Sequence, residues 1–207
     1  FLPFTPILIG RVIDALREPI ETGEIHVSRA NAHIRYPARF LLVAAANPCR
    51  CGEAADAGQP CPRAPRCQSD YLGRISGPMM DRFDLRIDMP QVSYEELGLP
   101  PTGESSATVA ERVAAARALQ AQRFAGHPQA RVNADAAGRL LEEIAPLDSD
   151  CRALLALAAE KLGLTPRGYH RILRAARTIA DLDASENIRQ PHLGEALSYR
   201  LPFGRPD

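Results

Sequence analysis

The chain has 207 residues, 45% of them hydrophobic and 24% charged, proportions that suit a folded globular protein and exclude disorder over most of its length. Lysine plus arginine number 25 and aspartate plus glutamate 25, so no global basic field draws the chain to nucleic acid, and any such contact has to be local. The longest apolar runs, such as Leu41 to Ala46, fall far short of the roughly 20 residues a membrane helix needs, and no membrane partner is expected. Lys161 is the single lysine, a bias toward arginine that the base composition of the coding DNA explains without a binding role. Four of the five cysteines lie within residues 49 to 67 and Cys151 stands alone, an odd total that fits a reducing, cytoplasmic setting better than a disulfide framework. The chain starts at Phe1 with no secretory leader pattern, and the expectation is a fragment or trimmed product.

In chain order, Val12, Ile13 and Leu16 suit a helix ending before Pro19, and Thr22-Gly23 turns the chain. Glu24 to Ser28 alternates, Arg29 to Ala32 has turn character and His33 to Tyr36 alternates again, which predicts a β-hairpin. Phe40 to Ala46 is continuously apolar, as a central strand covered on both faces would be, and it ends at Asn47-Pro48. An alternating strand is expected from Phe83 to Ile87. Composition then shifts near residue 90, and the Pro- and Gly-containing segment 91–103 reads as a linker. Beyond it the text is helical: Ser105 to Phe124, Asp150 to Leu162, and a helix opened by Thr165-Pro166 with Tyr169, Ile172, Leu173, Ala176, Ile179 and Ala180 on one stripe. Asn133 and Asp148 are expected as caps. The expected organisation is therefore an α/β part over residues 1–90, the linker, and an all-α bundle over 104–207.

Four patterns carry chemistry. Cys49, Cys51, Cys61 and Cys67 can meet the four-thiolate requirement of structural zinc, although a C-x-C pair chelates with more strain than C-x-x-C and unliganded thiols are the alternative. Asn47, at the end of a strand, can position a water or phosphate oxygen in the crevice beyond a parallel sheet, or it marks an Asn-Pro turn. Arg82, between a helix-like turn and a strand, would project from a fixed junction toward a neighbour's phosphate, or pair with Asp81 or Asp84. Arg167, Arg171 and Arg174 share one face of their helix, where guanidinium groups recognise phosphate or simply face solvent.

The stretches Asp14 to Glu21, Tyr36 to Phe40, Ala44 to Gly52, Ile75 to Pro78 with Asp81 to Asp84, and Ala176 to Leu182 together resemble the magnesium chelatase-like AAA+ ATPases of bacteria, the ComM/YifB group. The likeness runs from Arg11 to Phe203 and is to the C-terminal half: the end of an ATPase core, an incomplete parallel sheet with a hairpin and a Cys-rich loop, followed by a helical lid. It implies that Asn47 is the sensor of the attacking water, Arg82 an arginine finger offered to the next subunit's ATP, and Arg167 the lid arginine that feels the γ-phosphate, with Arg171 the other candidate. The hairpin resembles one that faces a ring's central pore, making Arg29 and Asn31 the implied DNA contacts, and the cysteines fall where relatives carry a similar set.

ATP and Mg²⁺ are the implied cofactors, zinc a further one, and a ring, hexameric by resemblance, the implied assembly. The 207 residues contain no G-x-x-x-x-G-K-[ST] loop and no apolar strand ending in Asp-Glu, so this chain by itself is not expected to hydrolyse ATP, although Arg82 and Arg167 can complete a neighbour's site. Three functions follow: part of a DNA-translocating or branch-migrating motor, part of a true magnesium chelatase motor, or an interaction module without an engine.

Overall fold

The computed structural model describes residues 2–3, 10–29, 32–47, 61–63, 66–89, 92, 94–100 and 103–200. Two compact units divide the chain, one taking in Phe1–Phe83 and Asp88–Ser93, the other Asp84–Ile87 and Tyr94–Arg205.

The first unit is mixed α/β. Helix α1 (Gly10–Ala15) breaks at Leu16 and α2 (Arg17–Thr22) follows at once. Pro19 thus does not end a helix as expected: it lies in the first turn of a new one, where its missing N–H would have had no partner anyway. Gly23 closes α2 with φ +70°, a left-handed cap that glycine adopts without strain, and its N–H donates to the Pro19 carbonyl at 2.9 Å. The expected hairpin forms from β2 (Glu24–Arg29) and β3 (Ala32–Pro37), antiparallel, with Ile25 opposite Tyr36 and Val27 opposite Ile34. These four share one face, and all are exposed; His26, Ser28, His33 and Arg35 share the other.

β1 (Leu2–Pro3) and β4 (Ala44–Ala45) pair in parallel over two residues. The central strand expected over Phe40 to Ala46 is therefore reduced to a short bridge, and Leu41 is 88% exposed, with Phe40 and Val43 also at the surface. A continuous apolar run becomes a buried strand only when neighbours cover both faces, and among the described residues β1 is its one ladder partner. Helices α3 (Arg66–Leu72) and α4 (Gly77–Met80) complete this unit, and Met79 is fully buried. The strand expected from Phe83 to Ile87 does not form: these residues pair in no ladder, and Asp84–Ile87 belong to the second unit, within which Arg86 N–H donates to the Tyr199 carbonyl at 3.1 Å.

The second unit is a helical bundle. The segment expected as a linker carries a short helix, α5 (Tyr94–Leu97). Then come α6 (Ser106–Arg123), α7 (Gly138–Ile144), α8 (Ser149–Leu162), α9 (Pro166–Leu182) and α10 (Gln190–Ser198). Caps explain the starts: Ser105 accepts from Thr108 N–H, Asp148 from Cys151 N–H at 2.7 Å, and Thr165 from Gly168 N–H at 3.0 Å, each satisfying a first-turn donor. Asn133 is not a cap as expected; it opens a 3-10 turn (Asn133–Asp135) and its amide points into the core. The α9 stripe buries Ile172, Leu173, Ala176 and Ala180 against Leu141, Cys151, Leu155, Ile188 and Leu193 in one continuous cluster. Each large side chain so buried contributes about 1.5–3 kcal/mol. No helix among the described residues is long and apolar enough to cross a membrane.

Candidate functional site

Arg82 follows α4 directly. Ser76 caps that helix through Met79 N–H and donates its hydroxyl to Asp14 Oδ1 at 2.5 Å, so α4 is tied to α1 at its start. At the other end the Arg82 side chain turns inward and is 7% exposed. Its Nε donates to the Arg17 carbonyl at 3.3 Å, its Nη1 to the Pro78 carbonyl at 2.6 Å, and its Nη2 lies 2.8 Å from Glu21 Oε2. The side chain expected to project from its junction is thus held within its own unit, and its acidic partner is Glu21 rather than Asp81 or Asp84. A guanidinium in a dry setting needs a counter-ion, and the last turn of α2 supplies one.

In the helical unit the arginine ladder does not form a uniformly solvated face. Arg167, in the first turn of α9, is exposed. Arg171, one turn on, is only 12% exposed and its Nη1 bonds Asp84 Oδ1. Arg174 donates to the Ala136 carbonyl at 3.1 Å; burial first, then the neighbouring Arg171 charge, lowers its pKa below the ordinary guanidinium value. Two clustered guanidiniums facing one carboxylate are suited to receive a further anion.

The same helix carries a polar network that sequence reasoning did not single out. Arg123 makes two bonds to the Asp181 carboxylate at 2.6 and 2.7 Å, Asn133 Nδ2 adds a third at 2.7 Å, and Arg177 Nε a fourth at 3.1 Å. Arg177 also donates to the Ser185 and Glu186 carbonyls. Burial raises the pKa of Asp181, but the Arg123 and Asn133 hydrogen bonds and the arginine charges outweigh it and hold the carboxyl below its usual range. Arg177 and Asp181 stand four apart beside the apolar stripe, and that spacing was the available signal for a buried pair.

Of the other expected site residues, Asn47 is exposed just beyond β4, and Arg29 is exposed at the end of β2. Asn31, Cys49 and Cys51 lie outside the described residues. Cys61 is buried and Cys67 partly buried; among the described residues no group of three or more His, Cys, Asp or Glu is placed to hold a metal ion. Cys151 is buried, and burial first, then Asp148, pushes its thiol up to about 11, which makes it a core residue and a poor nucleophile.

Two family models match the chain: magnesium chelatase, subunit ChlI, over residues 1–97, and the ChlI C-terminal model over residues 103–200. The competence protein ComM of Haemophilus influenzae is 45% identical over 203 residues, covering 97% of this chain and 38% of that protein. YifB of Escherichia coli is 43% identical over 97% of this chain and 38% of its own length. The magnesium-chelatase 38 kDa subunit of Cereibacter sphaeroides is 28% identical over 94% of this chain and 52% of its own length. The chain thus spans little more than a third of the length of ComM and YifB.

Proposed function

The chain belongs to the magnesium chelatase-like family, in the ComM/YifB group, and on that premise we propose that it forms the sensor-and-lid portion of a ring-forming, ATP-driven motor that acts on DNA. The observation that carries this reading is the 45% identity to ComM along 97% of the chain, against 28% to the magnesium-chelatase 38 kDa subunit. Residues 1–90 supply the end of an AAA+ core and residues 104–207 the lid.

The roles follow from the chemistry available. ATP hydrolysis in a ring is promoted by positive charge that meets the γ-phosphate as the leaving oxygen gains charge. Arg82 supplies it from one subunit to the next. Arg167 supplies it from the lid: it is the exposed member of its ladder, at the start of α9, and Arg171, one turn on, is the other candidate. Asn47, exposed beyond a parallel strand, orients the attacking water. ATP with Mg²⁺ is the fuel; the phosphate loop and the acidic magnesium ligands it requires are not among these 207 residues. Arg29, which ends β2, and Asn31, two positions later in the sequence, serve as the hairpin's DNA contacts. Cys49, Cys51, Cys61 and Cys67 bind zinc as a staple for the loop that contains them; less than a tenth of an equivalent of zinc in protein purified without chelator, on the order set by one structural site per chain, would overturn that part.

The deciding experiment measures ATP hydrolysis by the full-length polypeptide with single-stranded DNA, branched DNA, or a magnesium chelatase partner. Stimulation by DNA is expected. A rate that ignores both DNA forms and rises only with the chelatase partner would transfer the chain to the chelatase motors.

A further inference from the structure

We propose that Glu21 is the resting counter-ion of Arg82, holding the guanidinium turned inward until a phosphate oxygen displaces the carboxylate. The inference rests on the reading of Arg82 as the arginine offered to a neighbour's ATP, and it assigns Glu21 as a positioning residue for that reaction.

Three observations carry it. First, the Arg82 side chain is 7% exposed, and its three nitrogens are directed at the Arg17 carbonyl, the Pro78 carbonyl and Glu21 Oε2. Two of these acceptors are neutral, so Glu21 is the partner that balances the charge. Removing the paired anion from a desolvated guanidinium is strongly unfavourable, so Arg82 leaves Glu21 only when another anion takes its place. Glu21 meets the guanidinium through one oxygen on Nη2, and an anionic phosphate oxygen can take that same position, so the exchange replaces one charged acceptor by another.

Second, the Glu21 side chain is 31% exposed, so the carboxylate is far more open to solvent than the cation it holds. An incoming phosphate therefore meets the pair from the carboxylate's side, and water can solvate Glu21 once it is released. Third, the backbone on both sides of the pair is fixed. α4 is anchored to α1 through the Ser76–Asp14 bond, and α2 is closed by the Gly23 cap. The exchange then requires rotation of the Arg82 side chain and no rearrangement of the helices.

The test measures kcat, KM for ATP and the thermal midpoint in the full-length polypeptide for Arg82→Gln, Glu21→Gln, Glu21→Asp and the double glutamine variant. Arg82→Gln is expected to lower kcat by about 10³ or more with little change in KM, as loss of an arginine finger does. Glu21→Gln keeps the length and one acceptor oxygen but not the charge. It is expected to raise kcat several-fold at unchanged KM, because the resting state is weakened relative to the phosphate-bound one. Glu21→Asp retains the charge and is expected to stay close to the parent, and adding Glu21→Gln to Arg82→Gln should change nothing further. If Arg82→Gln turns over normally, the arginine-finger reading fails and Glu21 loses its role with it. If Arg82→Gln is inactive but Glu21→Gln is unchanged or slower, the counter-ion role alone is overturned. A parallel loss of kcat and thermal midpoint in Glu21→Gln, both restored by Glu21→Asp, would make the pair a structural staple and also overturn it.

Discussion

The two units bury their apolar residues to very different degrees. In the helical unit Phe124, Leu141, Leu155, Ile172, Leu173, Ile188, Leu193 and Leu197 join smaller residues in one closed cluster. In the first unit the buried apolar side chains among the described residues are those of Ile13, Pro19, Cys61 and Met79, while Ile25, Val27, Ile34, Tyr36, Phe40, Leu41, Val43 and Met89 are exposed. A helix satisfies its own backbone and needs one covered stripe, which four neighbouring helices can provide. A strand needs neighbours on its edges and on its faces, and β4 has one two-residue partner. The stability of the described chain therefore resides in the helical unit, and the first unit's apolar faces require further cover to become a core.

The sharpest way to break that comparison is at Asp181, which takes four hydrogen bonds from three side chains of the helical unit. Asp181→Ala would leave Arg123 and Arg177 without their anion, at a cost of about 3–5 kcal/mol. Urea unfolding followed by circular dichroism should show the helical transition moving by that amount; a loss under about 1 kcal/mol would mean the network is solvated after all. The pH dependence has a definite sign. Because the carboxyl is held below its usual range, its contribution is complete above the unfolded value of about 3.9 and is lost as pH falls through the folded value. Acid should thus destabilise the helical unit from about pH 4 downward, and Asp181→Asn should flatten that arm of the profile.

Legibility in the sequence follows the same division. α6, α8 and α9 were readable because caps and periodic stripes act over neighbouring residues: Asp148, Thr165 and the Ile172 to Ala180 pattern need nothing distant to operate. The hairpin was readable for the same reason. The run from Phe40 to Ala46 was not, because whether an apolar segment is a buried strand depends on what lies beside it. The site divides likewise. Residue type and motif marked Arg82 and Arg171, but their partners Glu21 and Asp84 are far off along the chain, Asp84 by 87 positions, and no local pattern announces them. Asn133 misled because an asparagine ahead of a helical turn suits a cap as well as it suits a buried donor.

A smaller pair of substitutions sharpens the contrast at the level of single leucines. Leu193 in α10 is fully buried within the helical cluster, and Leu193→Ala should cost about 2–5 kcal/mol, the sum of lost transfer energy and the cavity left behind. Leu41, 88% exposed, has little water to exclude, and Leu41→Gln should change the same unfolding transition by no more than about 0.5 kcal/mol. The informative measurement repeats Leu41→Gln in the full-length polypeptide. If the first unit's apolar run is covered there by neighbouring strands, a polar amide at that position must be buried without a partner, and the cost should rise to about 1–3 kcal/mol. An effect that stays near zero would show that Leu41 faces water in the longer protein as well, and that the run ends in a surface loop rather than a sheet.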